Sequence, residues 1–135
     1  MAIIKQYTDF DINFNKNEFT NDVSIKLNDN SIRQSVMNII LTKPGEKPFR
    51  RGFGVGIHKF LFENIITGLD RAKFSRDVQL QLEAHEPRVR FDKIKWDDSN
   101  VDTNYLQLEV YFFILRGRES QPQPDSLKIE LMKVR

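Results

Sequence analysis

Glu86, Pro87 and Arg88 place one carboxylate and one guanidinium on a stiff corner of the chain. Proline lacks an N–H and disfavours the helical conformation in the residue before it, so a helix arriving here must stop at Glu86. Arginine at such a corner offers a planar fork of donors suited to a carboxylate or to backbone carbonyls of a partner. Read alone, the tripeptide is a helix stop with a local ion pair, and surface pairs of that kind are weak. A second cluster, Lys43, Lys47, Arg50 and Arg51 with Phe49 and Phe53 interleaved, combines cations with aromatic rings. That combination binds single-stranded nucleic acid or docks an acidic protein surface, and a net charge of only +2 favours protein.

Other patterns carry less. Gly52-Phe53-Gly54-Val55-Gly56 lacks the dinucleotide spacing and a Walker lysine, so its glycines read as sharp backbone turns beside Phe49 and Phe53. His58 and His85 have no metal spacing, and Asp97, Asp98 and Asp102 lack the EF-hand register, so no metal site is expected. Carboxylates can be paired on paper as a glycosidase acid and base, but any domain with this many acids offers such pairs. No Ser-His-Asp arrangement stands out. No cofactor or small-molecule substrate is implied. The absence of cysteine removes disulfides, thiolate zinc sites and a cysteine nucleophile.

The elements that must position these groups follow from periodicity. Phe10, Ile12 and Phe14, then Val23, Ile25 and Leu27, alternate with polar residues and predict short extended segments. Ser31 with Gln34 has capping-box spacing, and Ile32, Val36, Ile39 and Ile40 share one face, predicting a helix over 31–41 that Pro44-Gly45 ends. Residues 42–56 hold two prolines and four glycines and read as a long loop of the kind that carries function. A short apolar turn (Ile57, Phe60, Leu61, Phe62) follows. Thr67 with Asp70 opens a second helix whose buried face is Phe74, Val78 and Leu82, up to His85. Val89 and Phe91 share one parity while Ile94 and Trp96 share the other, which predicts a bulge near Asp92-Lys93. Leu106 to Ile114 alternates most cleanly and carries apolar residues on both faces, so that strand is central or covered on both sides. After a Gly117–Asp125 connection, Leu127 to Val134 makes a last strand, expected at an edge. The result is an α+β fold, two main helices packed on a small, mostly antiparallel sheet of three to five strands. At 135 residues it reads as one domain, 1–135. No apolar run approaches the roughly 20 residues of a membrane span, and no signal-peptide pattern opens the chain.

Five motifs occur in order: Ser31-Ile32-Arg33-Gln34-Ser35; Ile40 through Phe49 (ILTKPGEKPF); Phe53-Gly54; Leu61-Phe62-Glu63; and Glu86-Pro87-Arg88. The series resembles the lysozyme-like baseplate wedge family of contractile-tailed phages, which also includes the sheath-initiator component of type VI secretion systems. The resemblance runs from about residue 9 to the C-terminus. Total length and the opening Tyr7-Thr8-Asp9-Phe10-Asp11 look closer to the phage branch. The family often has proline where Arg51 stands here, two residues before Phe53.

What the resemblance implies is structural and non-enzymatic: a small domain of each baseplate wedge, held by the helical core of neighbouring wedge proteins, on which the first ring of tail sheath assembles. The location implied is the virion, assembled in the host bacterial cytoplasm. Pro44, Gly45, Glu46, Phe49, Phe53, Gly54, Glu86, Pro87 and Arg88 are the implied partner-binding residues, with Glu86 and Arg88 expected to reach wedge neighbours rather than only each other. A sheet edge within 88–134 is the expected template for sheath strands, since an added strand satisfies unpaired edge N–H and C=O groups. No membrane or nucleic-acid partner is expected. The rivals are a cell-wall-degrading enzyme of the baseplate and a secretion-system component.

Overall fold

The structure, a computed structural model, describes residues 7–62, 67–99, 105–116 and 121–132. Strand β1 (Thr8–Phe10) pairs antiparallel with β2 (Ile25–Leu27), forming a small ribbon. Helix α1 (Asn28–Leu41), a 3-10 helix (Ile57–Phe62) and helix α2 (Gly68–His85) follow, then β3 (Val89–Asp97), β4 (Tyr105–Ile114) and β5 (Gln123–Met132). The last three strands make an antiparallel sheet in the order β3-β4-β5, so β4 is central and β5 lies at an edge of it. This is an α+β fold. Glu63, Asp102, Lys133 and Val134, which the sequence reading also used, lie outside the described residues, as do 117–120 of the last connection.

The helices bury the stripes that periodicity assigns them. Ile32, Val36, Ile39 and Ile40 of α1 and Phe74, Val78 and Leu82 of α2 meet the helix-facing side of the sheet, Val89, Leu108, Val110, Phe112, Ile114 and Ile129. Phe60, Phe74 and Trp96 close the core with edge-to-face contacts at centroid distances of 5.2–5.7 Å. Helix α2 starts as expected: Asp70 N donates to Thr67 Oγ1 at 3.2 Å and Thr67 N to an Asp70 carboxylate oxygen at 3.1 Å. The bulge also falls where parity slips, between Phe91 and Lys93.

Three expectations are corrected. Helix α1 begins at Asn28, three residues before Ser31, so the Ser31–Gln34 capping box does not form; Ser31 is buried and Gln34 instead donates to Phe10 O at 2.6 Å and accepts from Ile12 N at 3.1 Å. Asn28 takes φ 47°, which asparagine tolerates, and exchanges hydrogen bonds with Tyr7, so the ribbon sets the helix start. Strand β5 begins at Gln123 rather than Leu127, because Gln123 to Ser126 stay in register opposite Ile114 to Tyr111. Finally, Phe10, Ile12 and Phe14 do not share one extended segment: β1 ends at Phe10, a turn over Ile12 and Asn13 brings Phe14 N to Asp11 O (2.9 Å), and Phe14 takes φ 50°. Strand β4 is central as expected, and Arg90 over Phe113 (5.1 Å) and Lys93 over Tyr111 (5.3 Å) shield the rings on its far side.

Candidate partner-binding site: a groove between the proline-glycine loop and the Glu86–Arg88 corner

The corner is a closed ion pair. Proline at 87 ends α2, Glu86 is the C-cap with its N–H on Leu82 O (2.8 Å), and Arg88 Nε and Nη2 meet the two carboxylate oxygens at 2.6 Å each. Glu86 is only 3% exposed. Burial pushes its carboxyl up, but hydrogen bonds from Arg88 and Ser35 and the guanidinium charge outweigh that, so it sits below its usual range. The hydrogen bond to Glu86 in turn raises Arg88, which also lies 4.7 Å over the Tyr7 ring. Both Glu86 oxygens are therefore engaged within the chain, and Nη1 of Arg88 is the nitrogen left outside the pair. Both residues are expected to reach wedge neighbours rather than only each other; in the isolated chain they hold each other.

The loop is equally built. Val55 N and Gly56 N donate to Ile39 O and Ile40 O (3.1 and 3.2 Å), so the glycine stretch caps the last carbonyls of α1, and those amides face helix rather than a phosphate. Gly54, at φ 97°, passes so close to Thr42 that a Cβ would collide with its carbonyl oxygen. Gln81 of α2 clamps the stretch from the other side: its Oε1 accepts from Gly54 N (3.0 Å) and its Nε2 donates to Gly52 O (2.8 Å). Phe53 is held between Lys47 Nζ (4.1 Å from the ring centre) and His85 (4.8 Å between centroids).

Next to the corner, the loop, α1 and the end of α2 form a groove of about 540 Å³, whose walls include Asp9, Ser35, Glu46, Lys47, Arg50 and Phe53. Ser35 lines this groove and helps lower the Glu86 carboxyl, so α1 sets the corner beside the groove without any corner residue lining it. Of the expected site residues, Glu46 and Phe53 line the groove, Glu86 lies behind Ser35 and Arg88 pairs with Glu86. Pro87, Pro44 and Gly45 are exposed, Gly54 is buried as a structural hinge, and Phe49 stands fully exposed away from the lining. Tyr7, Gln81 and His85 were not among them. Their roles depend on contacts between distant segments, for which spacing along the chain gives no sign. Elsewhere, Asp98 is bidentate to Arg71 and Asp97 accepts from Ser99, and no group of three metal-ligating residues occurs among the described residues.

A family model described as "Baseplate wedge protein gp25" matches residues 27–118, which spans the corner and every groove-lining residue but Asp9. The chain belongs to the gp25 baseplate wedge family. It is 32% identical over 130 residues to the baseplate wedge protein gp25 of Enterobacteria phage T4, covering 96% of this chain and 93% of that protein. Two solved structures share the fold. One is a provisionally named tail lysozyme from Geobacter sulfurreducens (21% identity, TM-score 0.60, 77% of this chain and 89% of that one). The other is a chain of the anti-feeding prophage baseplate (19% identity, TM-score 0.59, 96% and 87%). As a gp25-family member the protein is a structural component of a phage tail baseplate, carried in the virion.

Proposed function

We propose that this gp25-family protein is held in the wedge by neighbouring wedge proteins at the groove and the Glu86–Arg88 corner, and that it starts the tail sheath by accepting a sheath strand on β5, without catalysing any reaction. The observation that carries sheath initiation is the state of the β5 edge. Its ten residues pair with β4 without a slip, whereas the β3 edge is broken by its bulge, a feature that discourages added strands. Pro124 sits in β5 opposite Phe113, and Ser126 N is satisfied by Asp125 Oδ1 at 2.8 Å rather than by β4. Both mark the even-numbered positions as those whose N–H points away from β4, which leaves Lys128 and Glu130 to offer donors to an added strand. Their side chains pair with each other at 2.8 Å, a charged guard against indiscriminate pairing.

The match to a baseplate wedge protein over nearly the whole chain supports the non-enzymatic reading. Lys128→Pro or Glu130→Pro removes one outward donor and leaves the β4–β5 ladder intact. Tails built with either variant are expected to carry the protein in their baseplates yet lack sheath by electron microscopy. Sheath of normal length on such baseplates rules out strand addition at β5. Clearing of a purified peptidoglycan suspension by the protein, lost on changing one carboxylate, rules out the non-enzymatic reading.

A further inference from the structure

The loop after α1 presents a side chain that packs against nothing. Phe49 is 105% exposed relative to a free residue, and its backbone holds φ 62°, the left-handed region that bulky side chains avoid. The segment is not slack: Gly45 N donates to Arg51 O (2.9 Å), Phe53 N to Arg50 O (3.1 Å), and Lys43 N to Glu46 Oε2 (2.9 Å). The loop's own hydrogen bonds thus maintain a strained conformation whose one effect is to push an apolar ring into water, and strain of this kind gathers at ligand clamps. Along the same loop, residues 43–51 carry Lys43, Lys47, Arg50 and Arg51 against Glu46 alone, a larger positive excess than the +2 of the whole chain. None of these four cations forms an ion pair among the described residues.

We propose that Phe49 is a knob that enters an apolar socket on a neighbouring protein, and that Lys43, Arg50 and Arg51 meet an acidic rim around that socket. The proposal rests on the wedge reading and names the chemistry of one neighbour. Charge complementarity selects the rim, and a lone ring selects a socket rather than a strand of nucleic acid. Single strands are bound by successive free aromatic faces, and the other ring of this loop, Phe53, is already covered by Lys47 and His85. Buried aromatic anchors ringed by polar contacts carry most of the energy of such interfaces.

Two experiments test it in assembled tails. Phe49→Ala and the pair Arg50→Glu/Arg51→Glu should each unfold at the wild-type temperature, because neither site is packed. Each should lower the protein's copy number per tail by about tenfold or more, as loss of an interface anchor does. With p-benzoylphenylalanine at position 49, irradiation of tails should crosslink the protein to a segment of another protein in which Asp and Glu outnumber Lys and Arg. Full occupancy of either variant, or a crosslink to DNA, to a second copy of this chain or to a basic segment, overturns the proposal. The wedge reading is read separately, from the presence of the unmodified protein in baseplates, and survives that failure.

Discussion

Replacing Arg88 with alanine should destabilise the isolated protein, and the size of the loss follows from the corner's geometry. Two hydrogen bonds of 2.6 Å disappear, and the carboxylate of Glu86, a residue only 3% exposed, keeps Ser35 and the backbone N–H of residue 88. Breaking a fully buried pair from one side costs about 3–5 kcal/mol. The Arg88 side chain is 25% exposed, so water enters the vacated space and the lower end, about 3 kcal/mol, applies. A domain of this size is stable by about 5–15 kcal/mol, so the variant stays folded at 25 °C. Its melting temperature should fall by roughly 10 °C, at about 3–4 °C per kcal/mol for this length. The double replacement Glu86→Gln/Arg88→Met strands no charge and should recover most of the loss, as removing both partners of a buried pair often does. Urea unfolding of wild type, both singles and the double gives the coupling directly. A loss below about 1 kcal/mol for Arg88→Ala means the pair is a surface ornament and the burial argument fails. The assembly test changes accordingly: an incorporation defect of Arg88→Ala identifies an anchor only if the restabilised double variant shares it.

Gly54→Ala forces a Cβ into the Thr42 carbonyl at a left-handed backbone and should cost roughly 3 kcal/mol or more in urea unfolding, while Gly52→Ala, with nothing within 4 Å, should be near neutral. Acid should weaken the corner in a defined direction. Because the folded carboxyl of Glu86 lies below its usual 4.5, its contribution is complete above that pH and is lost as pH falls through the lowered value. Glu86→Gln should therefore flatten the stability-against-pH curve below about pH 4.5, and an unchanged slope contradicts it. Thr67→Ala removes one half of the capping box of α2 and should cost about 1 kcal/mol by thermal unfolding.

Elements were legible where local chemistry decides them. Thr67 and Asp70 begin α2 by hydrogen bonds within four residues, Pro87 stops it by its own ring, and the parity slip in β3 is a property of four side chains within one strand, Val89, Phe91, Ile94 and Trp96. Boundaries failed where a distant segment decides. Gln34 has the right spacing to cap α1 but reaches the ribbon instead, and Asn28 starts the helix because Tyr7 lies beside it. The same distinction holds at the site. The corner and the loop are each visible as motifs, but their placement on either side of α1, and the grip of Gln81 on Gly52 and Gly54, come from the packing of α1 and α2 around one loop. The apolar alternation predicts extension that holds at Ile25 and Leu27 but fails beyond Phe10, where Ile12 lies in a turn, and Phe10, Phe14 and Ile25 stay exposed, since a two-stranded ribbon has no second layer to cover them.

The proposed anchor and the proposed template are joined by short, stiff connections. Arg88 O accepts Leu115 N at 2.8 Å, which locks the corner to the residue just past β4, and β4 is hydrogen-bonded along its whole length to β5. On the other side, Arg33 of α1 holds Asp125 near the start of β5 by two 2.7 Å hydrogen bonds, two residues from the Ser35 that lines the groove. A strand laid on β5 is thus positioned by the same helix and the same corner that are proposed to face the wedge. Local fraying of β5 would blur that placement, and the Arg33–Asp125 pair sits where an edge strand frays first. Asp125→Ala should leave the core and the groove intact, with a loss of under about 1–2 kcal/mol because Arg33 remains half exposed. It should nevertheless speed amide hydrogen exchange at Asp125 and Leu127, whose N–H groups pair with β4, relative to Leu108 and Val110 of the central strand. Unchanged exchange in β5 means the edge is held by its ladder alone, and the helix then has no part in presenting it.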